Sequence, residues 1–463
     1  MSEPYRIFTG GRVVLRDAVV ETDIVTRGGR IVSLGGDVPA GAEIERIALS
    51  GLTVLPGGID PHLHLGHGKD ISRPRVPKDA DQESAAAAVG GVTTFIPYLM
   101  ATEPFATLFD EVKAVTEAGA RIDFSYHFIV STEAQLAETP EAAARHGVPS
   151  FKIFMNNRGG EGARLGLPDI DDGFLYRLCE SAASSGGLVC PHPESIEVAW
   201  VLRERLKAAD PQGLGGLPTW NASRRDFVEA DAVQRSAYLA RVTGARIYMV
   251  HTSSAAALEA AHTHRRAGGR VFVETCPHYL THDETFGRGT VGKINPPLRS
   301  ARDREALWRA VADGGVDTIG TDHVHRDLSG KGASIWDASP GCPGLETMLP
   351  VLLSEGHHKR GIPLPRIAAL TAGNAAAIFG MGDAKGRIAP GLDADFAIVD
   401  LDADWTLDLG HVKSSAGYSI YEGTRFRGRI VHTVSRGEFV LRDGALVEEA
   451  VGRGRFVRRH PEV

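Results

Sequence analysis

Residues 52–64 read Leu-Thr-Val-Leu-Pro-Gly-Gly-Ile-Asp-Pro-His-Leu-His, an apolar run that ends on two histidines one residue apart. The run over residues 52–59 has the texture of a buried strand. Side chains alternate along a strand, so His62 and His64 point to the same side. Two imidazoles converging at a strand end form a natural pincer for a zinc or manganese ion. Taken alone the motif is short, and two polar residues closing a strand would read the same way.

More of a ligand set follows downstream. Lys152 lies inside the apolar stretch 150–155, residues 187–191 lead to His192, residues 245–250 to His251, and residues 316–321 to Asp322. Six candidate ligands thus sit in or just past separate strand-like runs, with helix-like stretches between them. A (β/α)8 barrel presents an active site in this manner, at the C-terminal ends of its strands. Residues 81–89 read as one such helix, stopped by Gly90 and Gly91, and 93–97 begin the next strand. Residues 210–220, rich in glycine and proline, read as a surface loop in the long connection from His192 to His251.

The two chain ends have a different texture. Short β-rich runs with glycine turns occur at 12–15, 22–25 and 30–34, and again at 395–399, 428–434 and 438–441. A few isolated strands cannot bury a face alone, so the ends are expected to pair into one small β-sandwich beside the barrel. The expected fold is therefore α/β, a (β/α)8 TIM-like barrel over 56–384, with a β-sandwich built from 1–55 and 385–445. Residues 446–463 form a basic tail, read either as an arm or as a frayed terminus.

Several signatures in order, GGIDPHLHL, SFKIFM, MVHTSS, ETCPHYL, NPPLR, IGTDH, NAAAIFG and GRIAPGLDADFAIVD, resemble those of the cyclic amidohydrolases in the amidohydrolase superfamily. This is the group of dihydropyrimidinase, hydantoinase, allantoinase and dihydroorotase, and the likeness runs almost end to end. It implies that His62, His64 and Asp322 hold the more buried of two divalent ions, and His192 and His251 the second. Zinc is the first expectation, with manganese, cobalt or iron as alternatives. It implies too that Lys152 is carboxylated by CO2 and bridges the pair. A free ammonium beside two dications would be repelled, whereas a carbamate gives an oxygen to each; the alternative is a snorkelling surface lysine. Hydroxide shared by the ions would then attack a ring carbonyl, with Asp322 as general base and later general acid. A homotetramer, with the C-terminal arm reaching over a neighbour, is the implied assembly.

The ring itself is ambiguous. Dihydropyrimidinases and hydantoinases carry a substrate-binding tyrosine five residues after the carboxylated lysine, where this chain has Asn157. Dihydroorotases carry an arginine two residues beyond the second histidine, where this chain has Gly66. The stretches around Glu274 and Asn295 look closer to allantoinase. The reading is a hydantoinase-like cyclic amidase with allantoinase-like activity as the alternative, and Asn157 and Asn295 are the substrate-binding candidates. Arg158 reads first as a solvated loop arginine, with a substrate carboxylate or ureido group as its alternative partner; His67 reads as a loop residue rather than a third metal ligand; His323 and His325 are read equally as loop residues or as groups that orient Asp322 or meet substrate. A non-catalytic scaffold that kept the fold is another alternative, as is a mononuclear hydrolase of N-acyl amino acids with no need of a carbamate.

Composition agrees. A chain of 463 residues with 43% hydrophobic content is ample for a barrel of about 250 residues and a second domain. The net charge of −7, with no basic stripe interleaved with aromatics, argues against a nucleic-acid partner. No apolar run approaches the roughly 20 residues of a membrane helix. Residues 1–6 lack a signal-peptide core, so a cytoplasmic protein is expected. The four cysteines, Cys179, Cys190, Cys276 and Cys342, are scattered and fit neither a metal knuckle nor a disulfide framework.

Overall fold

The computed structural model describes residues 3–460. Its centre is a parallel sheet in the order of the chain: β1 (Gly58–His64), β2 (Val92–Leu99), β3 (His127–Ile129), β4 (Ser150–Phe154), β5 (Leu188–His192), β6 (Arg246–Met249), β7 (Arg270–Thr275) and β8 (Thr318–Ile319). A last short strand, β9 (His323–Val324), pairs with β1 at Leu63 and His64, while β8 pairs with β7. Together β8 and β9 carry the chain from the last barrel strand back to the first, which closes the ring. Helices follow the strands, among them Pro77–Val89, Phe105–Gly119, Asp172–Ser185, Asp226–Thr243, Ala255–Arg266 and Ala301–Asp313. This is the (β/α)8 architecture, and it places every strand's C-terminal end on one face.

Both chain ends form sheets beside the barrel. Tyr5–Thr9, Ile24–Arg27, Arg30–Leu34 and Ile44–Ala48 make one sheet. The other joins N-terminal Arg12–Val14, Val19–Glu21 and Thr53–Pro56 to C-terminal Phe396–Thr406, Arg425–Ser435, Glu438–Arg442 and Ala445–Leu446. The junction between the ends is Thr53–Pro56, antiparallel to Phe396 through Val399. Phe8, Ile24, Ile31, Val54, Phe396, Ile398 and Val434 form a separate apolar core between the two sheets.

Two segments differ from the sequence reading, and the described part of the tail is not frayed. The run 52–59 is not one strand: it divides at Gly57, with Thr53–Pro56 in the end sheet and Gly58 opening β1. A Cβ at Gly57 would stand 2.2 Å from Thr93 Oγ1, so only glycine lets the chain pass there. Within 210–220 the loop gives way to a helix, Gly216–Ser223. Asp210 accepts from the Leu214 and Gly215 amides at 3.0 and 2.7 Å, which folds the connection tightly into that helix. The tail lies along its own chain: Phe456 bridges to Phe124, and Arg459, 1% exposed, donates to Ser125 Oγ at 2.8 Å and Ser150 Oγ at 2.7 Å. The tail reading continues through 461–463, which lie outside the described residues. No helix among the described residues is long and apolar enough to cross a membrane.

Candidate metal centre

All eight site residues singled out in the sequence, His62, His64, Lys152, Asn157, His192, His251, Asn295 and Asp322, line one cavity of about 610 Å³. They arrive from β1, β4 and β5, from the segments just after β4, β6 and β8, and, for Asn295, from the long connection between β7 and β8. Asp322 and His251 both adopt left-handed backbone, with φ of 48° and 41°. Such geometry is uncommon outside glycine and turns each side chain sharply at the end of its strand. Thr321 secures the Asp322 turn: its amide donates to Asp60 at 3.0 Å, and the His62 amide donates to the same carboxylate at 3.1 Å. Burial pushes the Asp60 carboxyl up to about 6 against those hydrogen bonds.

Two groups of ligand atoms face each other. His62 Nε2 lies 3.1 Å and His64 Nε2 3.8 Å from Asp322 Oδ1, and one ligand atom from each residue falls within 4.8 Å of the others. Across the cavity His192 Nδ1 and His251 Nε2 are 2.8 Å apart, and Asn295 Nδ2 donates to His192 Nε2 at 3.3 Å. The rings of His62 and His251 lie 5.3 Å apart, which brings the groups together. Lys152 Nζ sits 4.5 Å from the Tyr98 ring centroid and 5.4 Å from that of Phe154.

The electrostatics are those of a site built for a cation. Burial drives His192 and His251 well below the usual imidazole value, so both are neutral electron-pair donors. His64 falls to about 3 for the same reason. Burial also opposes a charge on His62, but Glu274 and Asp322 outweigh it and hold that imidazole at about 9. Burial works against the Asp322 anion, yet His62, His251 and His64 keep its carboxyl far below the ordinary range. Lys152 is lowered by burial to about 8, with Asp322 and Glu274 pulling the other way. His62 Nε2, His64 Nδ1 and His251 Nδ1 are buried without a hydrogen-bond partner. Orphaned imidazole nitrogens around one carboxylate fit a divalent metal, since a buried polar atom is otherwise costly.

The other polar candidates lie elsewhere. His67 is exposed and 3.0 Å from Asp79, and Arg158 is bound by Glu197 at 2.8 Å and by Asp172. His323 pairs with buried Glu83 at 2.9 Å, and His325 Nδ1 reaches the His64 carbonyl at 3.3 Å. All four cysteines are free and buried. Sequence reasoning missed Glu274, which accepts from His62 Nδ1 at 2.6 Å, the His251 amide at 2.7 Å and the Tyr248 hydroxyl at 2.8 Å. Its only signal was a carboxylate in an apolar strand run. Tyr98, whose ring packs on His62, His64 and Lys152, was missed as well.

The amidohydrolase family model matches residues 53–440. A D-hydantoinase of Geobacillus stearothermophilus is 31% identical, with 98% of this chain and 96% of that protein covered. An allantoinase of Solibacter usitatus is 33% identical, covering 96% of each. The crystal structure of a dihydropyrimidinase from Brevibacillus agri superposes with a TM-score of 0.89 at 28% identity, over 99% of both chains. The chain belongs to the amidohydrolase family and, within it, to the cyclic amidohydrolases.

Proposed function

We propose that this enzyme opens a hydantoin-like ring by hydrolysis of its C–N bond at a pair of divalent ions. The observation that carries the reading is the convergence of His62, His64, His192, His251 and Asp322 on one cavity around a buried lysine, with ring nitrogens left unpartnered. His62, His64 and Asp322 would hold one ion, His192 and His251 the other, with zinc first and manganese, cobalt or iron as alternatives. When bound, the ions supply Lewis acidity and an acidified water.

The chain's own residues do the rest. The Lys152 amine, held near 8, is partly neutral at physiological pH. It can therefore attack the carbon of CO2, lose a proton and become an anionic carbamate between the two ligand groups. Asp322 takes a proton from the attacking water and returns it to the departing ring nitrogen. Asn157 and Asn295, both lining the cavity, present amides to the ring's own amide edge. An allantoinase-like reaction is the second reading, favoured by the 33% identity to an allantoinase and by Asn157 in place of tyrosine.

The test is metal content per chain, together with turnover of hydantoins, dihydrouracil, allantoin, dihydroorotate and an N-acyl amino acid. About two ions per chain and opening of one ring class is expected, and chelation abolishes the turnover. Metal-free protein that opens no ring after divalent ions and bicarbonate are supplied would sink the reading in favour of a scaffold.

A further inference from the structure

We propose that the ring opened here carries a carboxylate substituent, and that Lys293 and Arg224, both packed on Trp220, form the subsite that holds it. The inference rests on the reading of the site as a cyclic amidohydrolase and names its substrate class. Lys293 Nζ lies 4.3 Å from the Trp220 ring centroid and the Arg224 guanidinium carbon 4.1 Å from it. Both cations line the same cavity as the candidate metal ligands, yet they are only 2% and 5% exposed. Lys293 Nζ donates to the Trp336 carbonyl at 3.1 Å, and among the described residues no carboxylate pairs with it. Arg224 shares one carboxylate, Glu194 at 2.8 Å, while its Nη1 is buried with no hydrogen-bond partner.

The subsite adjoins the reacting end of the cavity. Glu194, held by Arg224, brings its other oxygen to 4.0 Å from His192 Nε2. Asn295, two residues after Lys293, donates to that same nitrogen. A ring seated at His192 would therefore direct a short substituent toward Lys293 and Arg224. The cavity of about 610 Å³ leaves ample room beyond a single five- or six-membered ring.

Charge selects what fills that room. Arg164, Arg203, Lys207 and Arg326 add to the positive wall, against which Asp327 and Asp337 also line the cavity, and Glu161 is already bound to Arg203 at 2.6 Å. An apolar substituent would leave Lys293 and Arg224 Nη1 desolvated and unpaired, which is costly. Because Glu194 already offsets the charge of Arg224, the protonated Lys293 leaves the pair with capacity for a single negative charge. That matches one carboxylate, which also accepts planar hydrogen bonds from a guanidinium. Burial, then Arg224, lowers Lys293 to about 7, so an arriving anion would draw a proton onto it.

The experiment compares a hydantoin bearing a propionate side chain with the same ring bearing the neutral propionamide, by kcat/KM and by equilibrium binding to the metal-loaded enzyme. At least a tenfold preference for the acid is expected, falling to within threefold of unity in Lys293→Gln. Equal kcat/KM values and equal affinities in the unmodified enzyme would overturn the proposal without any variant. So would a preference that Lys293→Gln leaves intact. If no ring is opened but the acid still binds tenfold more tightly than the amide, the subsite stands and the hydrolytic reading falls.

Discussion

His62 Nδ1 lies 2.6 Å from Glu274 Oε1, and both side chains are wholly buried. The contact holds a proton on Nδ1, so that a metal ion binding beside Asp322 would displace only the proton on Nε2. Glu274 also accepts from the His251 amide, so one carboxylate orients a candidate ligand of each ion. Glu274→Gln removes the charge while keeping the shape. Metal affinity, measured by competition with a chromophoric chelator, is expected to fall by about 10–100-fold. An unchanged affinity would mean that the histidines are oriented by packing alone.

Lys152 offers a sharper test of the two-ion arrangement. Its position in β4, beside the Tyr98 ring, leaves its amine no anionic side chain as a close partner among the described residues. Protein prepared with 13C-labelled bicarbonate is expected to show a carbamate carbon resonance that is absent from Lys152→Ala. The variant is expected to bind fewer than two ions per chain and to lose activity by about three orders of magnitude or more, as loss of a central catalytic group does. A mild effect on both would favour the mononuclear alternative.

Glu83 predicts a dependence of stability on pH. Its carboxylate accepts from His323 Nε2 at 2.9 Å and from the Ser415 amide at 3.0 Å. Burial opposes its ionisation, but His323 outweighs burial and holds the carboxyl at about 2, below the ordinary 4.5. A depressed carboxylate contributes stability in full above about 4.5, and the contribution is lost as pH falls toward 2. His323 is raised by the same pair, so its share is present below 6.5 and is lost as pH rises through its folded value. Glu83→Gln is expected to cost about 3–5 kcal/mol where the pair is whole. Thermal midpoints of the two proteins are expected to differ most between pH 5 and 6, to draw together as pH falls below about 4.5, and to converge only as it approaches 2. A gap that stays constant down to pH 3 would contradict the pairing.

The site was legible in the sequence to the extent that each ligand lies in or just past an apolar run. His192 ends a strand and His251 and Asp322 come shortly after one, and a barrel gathers such residues on one face whatever the loops do. Glu274 was not legible because its partner His62 lies 212 positions away and nothing local marks a buried acid. Trp220, Arg224 and Lys293 were hidden for a related reason. They come from long connections whose packing against each other has no periodic signature, and one of those connections folded into a helix rather than a loop. The division at Gly57 was invisible because both halves of the run are equally apolar.

The tail illustrates how charge composition misleads. Residues 452–460 read as a basic arm or a frayed end, yet Arg459 is buried, donating to Ser125 Oγ, Ser150 Oγ and the Tyr126 carbonyl, with its guanidinium 5.9 Å from the Phe379 ring centroid. Ser150 begins β4 and also holds His127 at 2.7 Å, so the arginine ties the chain end to the strand that carries Lys152. Arg459→Ala would leave three acceptors short of a donor and a void where the side chain packs. Each effect costs about 1–3 kcal/mol. The thermal midpoint is expected to drop by several degrees, with kcat/KM retained at temperatures well below it. Arg459→Lys is expected to recover only part of the loss, because one ammonium cannot reproduce the planar fork. A midpoint within one degree of the unsubstituted protein in both variants would show that the tail does not dock on the barrel in solution.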